Sequence, residues 1–306
     1  MLDWKYHTML DWKHLAKRGL HHARRAKAYL IHHRMPDKLS ATVADMCDAN
    51  GADRFGEALA SVVARRPETV NDIINERSKA YMFLGHMRTI IAEFGIDFVI
   101  DAGAHSGQFA STLYGYAGFK GEIHSFEPVK AHFDVLSSNL HHYPGWYAYH
   151  CALGDETGTS EVHIGSGHGG TSSLLLQNDN LKGFAPDVVQ VGRVERIEVK
   201  RVDELFAKQI TDPARRPMLK LDVQGFEEHV LRGCADLVSR FHLIQVELSS
   251  VNMYQGQGSF TRIPLMLEKL GYVPIYVANG FSIRRSLYLD YDFIYCREQD
   301  LKAKRV

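Results

Sequence analysis

The stretch Phe98-Val99-Ile100-Asp101-Ala102-Gly103-Ala104-His105-Ser106-Gly107-Gln108 constrains this chain more than any other. An apolar run ends in an acid, passes through a turn of small residues and enters a helical pattern. A parallel strand delivers its carboxyl end to a ligand in this way when the ligand needs close backbone approach. About twenty residues on, Ile123-His124-Ser125-Phe126-Glu127-Pro128 ends a second apolar run in another acid. The pair suits a nucleoside: the glycine turn approaches it, and the second acid accepts hydrogen bonds from ribose hydroxyls.

The chemistry of the turn narrows the nucleoside. A pyrophosphate calls for free amides at a helix N-terminus, usually within G-x-G-x-x-G. Here Gly103 and Gly107 are separated by three residues, and Asp101 sits at the strand end itself. A carboxylate there repels a pyrophosphate and suits a cation. S-adenosylmethionine carries a sulfonium and an ammonium and no phosphate. A tight strand-to-helix turn without any ligand is the structural alternative.

A chain of 306 residues can bury a full core and leaves room for one large domain and an appendage. Its 36 basic and 36 acidic residues cancel, which implies no global attraction to nucleic acid. Cys47, Cys151, Cys234 and Cys296 form no C-x-x-C and read as buried thiols of a reducing compartment. No apolar stretch approaches the ~20 residues of a membrane span, and no signal-peptide pattern appears. These features predict a cytoplasmic protein.

Charge is nevertheless uneven. Residues 1–40 hold nine Lys/Arg, three Asp, six His and two of the three Trp. Such an arm can lie on an anionic membrane surface or contact another subunit. Its apolar face (Leu15, Leu20, Ala23, Leu30) is thin, which favours a solvated basic helix. The pentapeptide Met1-Leu2-Asp3-Trp4-Lys5 recurs at Met9 to Lys13 and is too short to be a structural repeat.

Residues 41–66 and 69–94 read as helices, the second ended by Gly95. They complete a helical N-terminal region, 1–95. From 96 to 306 strands and helices alternate. Strands are expected at 98–102, 122–127, 146–153, 217–222, 243–248, 272–278 and 291–296. Helices are expected near 107–116, 129–142, 225 onward and 260–270, with an added antiparallel pair at 159–164 and 194–200. This alternation predicts an α/β fold, a doubly wound sheet with its ligand at the carboxyl strand ends. Asp101, Glu127, Asp155, Asp222 and Glu247 all fall at or near those ends.

The ordered motifs resemble the FkbM family of S-adenosylmethionine-dependent methyltransferases. They are Val99 to Gln108, Phe126-Glu127-Pro128, Ala152-Leu153-Gly154-Asp155-Glu156, Thr171-Ser172-Ser173-Leu174, Val202-Asp203-Glu204-Leu205, Leu219 to Glu227, Val230-Leu231-Arg232-Gly233 and Val246-Glu247. The resemblance covers roughly residues 96–298. It implies a class I methyltransferase (Rossmann-like) sheet of seven strands, the last antiparallel. It also implies O-methylation of a hydroxyl on a sugar, glycolipid or secondary metabolite. His105 departs from the Asn usual in the family; both residue types tolerate unusual backbone angles.

Residue roles follow. Gly103, His105, Gly107 and Gln108 form the cofactor turn, and Asp101 holds the ammonium directly or through water, or else caps the next helix. Glu127, followed by Pro128, accepts both ribose hydroxyls. Ala152 and Leu153 flank the adenine, and Asp155 accepts from its amino group or is a turn residue only. Methyl transfer needs alignment and removal of the hydroxyl proton. Asp222 and Glu247 are the candidate bases, or orienters of the acceptor. Glu227 and His229 lie two apart on a helix, so at most one faces the site. His168, Thr171 and Ser172, on a Gly-rich loop, are candidates to contact the acceptor. A metal held by Asp222, Glu247 and a histidine lacks supporting ligand spacing, so no metal is expected. Two alternatives stay open: a non-catalytic interaction module, and a methyltransferase for an amine or peptide.

Overall fold

A computed structural model describes residues 85–165, 172–184, 191–280, 282–284 and 287–304. They belong to a compact unit spanning residues 81–306. The basic arm 1–40, the helix expected at 41–66, most of the helix expected at 69–94, and His168 and Thr171 lie outside the described residues.

Twelve strands run in chain order among the described residues: β1 (Phe98–Ala102), β2 (Glu122–Phe126), β3 (Trp146–Tyr149), β4 (Ala152–Leu153), β5 (Gly158–Gly165), β6 (Val191–Lys200), β7 (Pro217–Leu221), β8 (Leu243–Ser249), β9 (Tyr272–Asn279), β10 (Ser282–Arg284), β11 (Leu287–Tyr288) and β12 (Asp290–Arg297). Seven of them form the main sheet in the order β3-β2-β1-β7-β8-β12-β9. β1, β2, β3, β7 and β8 are parallel, while β12 is antiparallel to both of its neighbours. This is the doubly wound, mostly parallel sheet that the resemblance implies. The chain moves outward from β1 to β3 and then returns to the other flank of β1. The crevice at that reversal, between β1 and β7, is where such sheets bind ligands.

Strands covered on both faces need near-continuous apolar runs. β1 and β7 are buried at every residue. Alternation then sorts their side chains. Phe98, Ile100, Ala102, Leu219, Leu221, Ile244 and Val246 enter one apolar cluster. Val99, Met218, Leu243, Ile294 and Cys296 enter the other, with Met87, Ile90, Ile91 and Phe94 of the helical residues 85–94. Each fully buried side chain of this kind contributes roughly 1.5–3 kcal/mol. By the same parity, Asp101, Lys220, Gln245, Glu247 and Asp292 share the second face. A polar row thus crosses the sheet at its ligand-binding end.

One strand expectation is corrected. Residues 146–153 are not a single strand. The chain turns at His150 and Cys151, and β4 leaves the main sheet to pair in parallel with β6. With β5 antiparallel to β6, these form a second, three-stranded sheet containing the expected added pair. Cys151, Cys234 and Cys296 are free and buried. Among the described residues no helix is long and apolar enough to cross a membrane.

Candidate active site

The turn after β1 is built on three left-handed residues, Gly103 (φ 77°), His105 (φ 49°) and Gly107 (φ 86°). A side chain at Gly103 would lie 1.8 Å from the backbone oxygen of Asp222, and one at Gly107 would lie 2.6 Å from the Trp146 ring. The protein's own packing therefore demands both glycines. His105, the departure from the family pattern, adopts the angle that Asn would. Its ring stacks on His132 at 3.8 Å, and Gln108 Nε2 lies 3.3 Å from its Nδ1.

Glu127 ends β2 and is 5% exposed. Its two oxygens accept hydrogen bonds from His105 N and Val129 N, both at 2.8 Å. An ionised carboxylate offers about four lone-pair positions, so it can hold both loops and still receive ribose hydroxyls. This fits a nucleoside such as S-adenosylmethionine. Pro128, beside it, offers its carbonyl to His150 Nε2 at 3.0 Å.

Burial places three of the expected cofactor residues inside the protein. Asp101 is fully buried and presents no surface to a ligand. Ser125 Oγ donates to its Oδ2 at 3.0 Å, and Lys220 Nζ lies 3.1 Å from its Oδ1. Burial pushes the Asp101 carboxyl up, and the Lys220 ammonium opposes that shift. Asp101 thus braces the site from inside, ion-paired to the Lys220 ammonium. Ala152 and Leu153 are 5% and 1% exposed and sit in apolar clusters. Both pack as core residues. Asp155, on the turn that follows, pairs with His229 Nδ1 at 3.0 Å.

The second half of the site lies at the ends of β7 and β8. Gln224 Nε2 donates to Asp222 Oδ1 at 3.2 Å and to Glu247 Oε2 at 2.8 Å, bridging the two candidate bases. Tyr254 donates its hydroxyl to Gln224 Oε1 at 3.0 Å, and Ser173 Oγ donates to the Gln224 carbonyl at 2.7 Å. Gln224 itself is left-handed, with φ 54°. Ser172, the expected acceptor contact, keeps a buried hydroxyl without a partner; its neighbour Ser173 touches the site instead.

Electrostatics divides the two carboxylates. The protein around Asp222 pushes its carboxyl up, but the ammonium of Lys220, 3.3 Å away, together with Gln224 and Glu247, holds it below the ordinary value. Glu247 goes the other way. Burial, then the charges of Asp222, Asp290 and Asp292, push it well above its ordinary value. The two shifts run in opposite directions: Asp222 favours its charged form and Glu247 its neutral form. Asp292 is likewise pushed up to about 6 by burial and by Asp222.

Glu227 supports the loop that carries Gln224. Its Oε1 accepts from Val223 N and Gly225 N, both at 3.1 Å. Burial pushes it up to about 7 from 4.5. As pH rises from 4.5 towards 7, the unfolded chain loses this proton first while the folded chain keeps it. The folded state therefore loses stability across that window, on the order of 3 kcal/mol. Glu227→Gln keeps the accepting oxygen and has no proton to lose. Denaturant unfolding at pH 5 and pH 8 is expected to show the decline in the native protein and its reduction in the variant. Equal declines would mean that Glu227 ionises freely.

The Methyltransferase FkbM domain model matches residues 101–274. The chain belongs to the FkbM methyltransferase family. It is a methyltransferase, and the methyl donor of the family is S-adenosylmethionine. "Methyltransferase 1" of Beauveria bassiana (strain ARSEF 2860) is 28% identical over 193 residues, which cover 60% of this chain and 75% of that protein. "Methyltransferase sdnD" of Sordaria araneosa is 29% identical over 196 residues, covering 57% and 73%. The crystal structure of Methyltransferase FkbM from Methylobacillus flagellatus KT superimposes with a TM-score of 0.40 at 16% identity. It covers 65% of this chain, and the chain spans 43% of that one.

Three residues that hold the candidate site together escaped the sequence reading. Lys220 carried a signal, because a lysine inside Pro217-Met218-Leu219-Lys220-Leu221 must find a buried anion. Gln224 and Tyr254 carried none, since thirty positions separate two ordinary polar residues.

Proposed function

We propose that this FkbM methyltransferase O-methylates a hydroxyl of a sugar, glycolipid or secondary metabolite, with Asp222 as the base. The observation that carries this is the pair of strand-end carboxylates, Asp222 and Glu247, bridged by one Gln224 amide beside the cofactor turn. S-adenosylmethionine supplies a methyl group activated by its sulfonium. The chain's residues then have two tasks. Glu127 and the turn from Gly103 to Gln108 fix the nucleoside. Asp222, kept anionic by Lys220, accepts the hydroxyl proton as the oxygen–carbon bond forms. Glu247, pushed towards its neutral form by burial and by Asp222, limits the negative charge beside Asp222 and in that form can donate to an acceptor oxygen. Ser173 and Tyr254 hold Gln224, and so the spacing of the two carboxylates.

An amine acceptor fits this site less well. The charged form that Asp222 favours stabilises an ammonium, which has no lone pair to accept a methyl group. The test is transfer of labelled methyl from S-adenosylmethionine to a panel of hydroxyl-bearing glycans and metabolites, amines, peptides and RNA. Fragmentation of the product would locate the label. Label on oxygen of a glycan or metabolite supports the reading. Label on nitrogen, or on RNA alone, overturns it.

A further inference from the structure

We propose that Lys220 is a positioning residue that couples the cofactor turn to the acceptor-side carboxylate. It stands in register with Asp101 across the β1–β7 pair, on the polar face of the sheet. Its side chain is 6% exposed. One ammonium reaches three oxygens: Gly103 O at 3.0 Å, Asp101 Oδ1 at 3.1 Å and Asp222 Oδ2 at 3.3 Å. The contact with Gly103 O is a hydrogen bond, and both carboxylates are ion-paired to the same ammonium.

The three acceptors belong to three different tasks. Gly103 lies in the turn that approaches the cofactor. Its peptide is fixed on both sides: Gly103 N and Ala104 N donate to Phe126 O at 3.1 and 3.0 Å, and Gly103 O accepts from Lys220. Asp101 is anchored from behind, since Trp146 Nε1 donates to Ser125 Oγ at 3.0 Å and Ser125 Oγ donates to Asp101. Asp222 is the outer member, with its side chain 39% exposed. Two acceptors are thus locked in the core and one faces the acceptor side. Any shift of the turn on binding cofactor moves the ammonium relative to Asp222. By linkage, the charge of Asp222 biases the turn to the same extent.

The inference rests on Asp222 as base, but its test needs no acceptor. Aspartate is labelled with ¹³C at the carboxyl, and the Asp222 signal is assigned by its loss in Asp222→Asn. The signal is titrated with pH in the free protein and again with saturating S-adenosylhomocysteine. Lys220→Met alone strands two carboxylates and can unfold the chain. Asp101→Asn is therefore combined with it, which removes the inner charge and leaves Asp222 without its cation. In the native protein, Asp222 is expected to stay ionised down to below the ordinary carboxylate range and to shift on addition of S-adenosylhomocysteine. In the double variant its midpoint is expected to rise by at least one pH unit, and the response to S-adenosylhomocysteine to vanish. An unmoved midpoint, or an unaltered response, overturns the coupling. The methylation reading fails separately: nitrogen-labelled product would sink it and leave this linkage standing.

Discussion

Glu127→Ala is expected to weaken S-adenosylmethionine binding by about a thousandfold, which corresponds to ~4 kcal/mol. Two losses combine. Ribose hydroxyls lose an ionised acceptor, and hydrogen bonds to charged groups contribute about 1.5–3 kcal/mol each. The two loops flanking the site also lose their shared anchor, because His105 N and Val129 N both donate to this carboxylate. The second loss is local, since β1 and β2 remain paired through five residues each. The variant should therefore fold. Calorimetric titration with S-adenosylmethionine and S-adenosylhomocysteine measures the effect. Glu127→Gln, which keeps one accepting oxygen, should fall between the two. An alanine variant that binds within threefold of the native protein would place the ribose elsewhere.

Which parts of this site were legible follows from how each residue is held. The strands read directly because burial on both faces forces continuous apolar runs, as in Phe98 to Ala102 and Pro217 to Leu221. Glu127 stood out too, since an acid ending such a run needs a partner, and here the amides of His105 and Val129 donate to it. Asp101 carried the same signal, but its partner is a lysine of the neighbouring strand. Sequence spacing alone does not separate a ligand's cation from the protein's own. The register does, by setting Asp101 opposite Lys220. The burial of Ala152 and Leu153 was hidden for a related reason. A two-residue strand that changes sheets leaves no periodicity to read, and its pairing with Val199 and Lys200 buries the faces that seemed open. The opposite shifts of the Asp222 and Glu247 carboxyls were beyond the sequence altogether. They depend on Lys220 lying near one carboxylate while Asp290 and Asp292 surround the other.

Gly103→Ala is expected to abolish the fold of the site, at a cost above about 4 kcal/mol, the range reserved for specific steric or electrostatic failures. A Cβ there would lie 1.8 Å from Asp222 O and 2.8 Å from Asp222 C. Both are backbone atoms, so no rotamer change relieves the clash. Asp222 cannot retreat, because its amide donates to Ala102 O at 3.1 Å. Relief would require β1 and β7 to part at the ligand-binding end, breaking the Lys220 contacts with Gly103 and Asp101. Two other left-handed glycines separate conformational strain from collision. Gly118 has φ 69° and nothing within 4 Å, so Gly118→Ala should cost about 1 kcal/mol through backbone strain alone. Gly107 has φ 86° but faces Trp146 and Leu136 side chains at 2.6 and 2.8 Å, which can move in part. Its alanine variant should fall between the other two. Denaturant unfolding of the three variants gives the order directly. Gly103→Ala as stable as Gly118→Ala would mean that the turn stands clear of the end of β7, and the contact of Lys220 with Gly103 would then be lost as well.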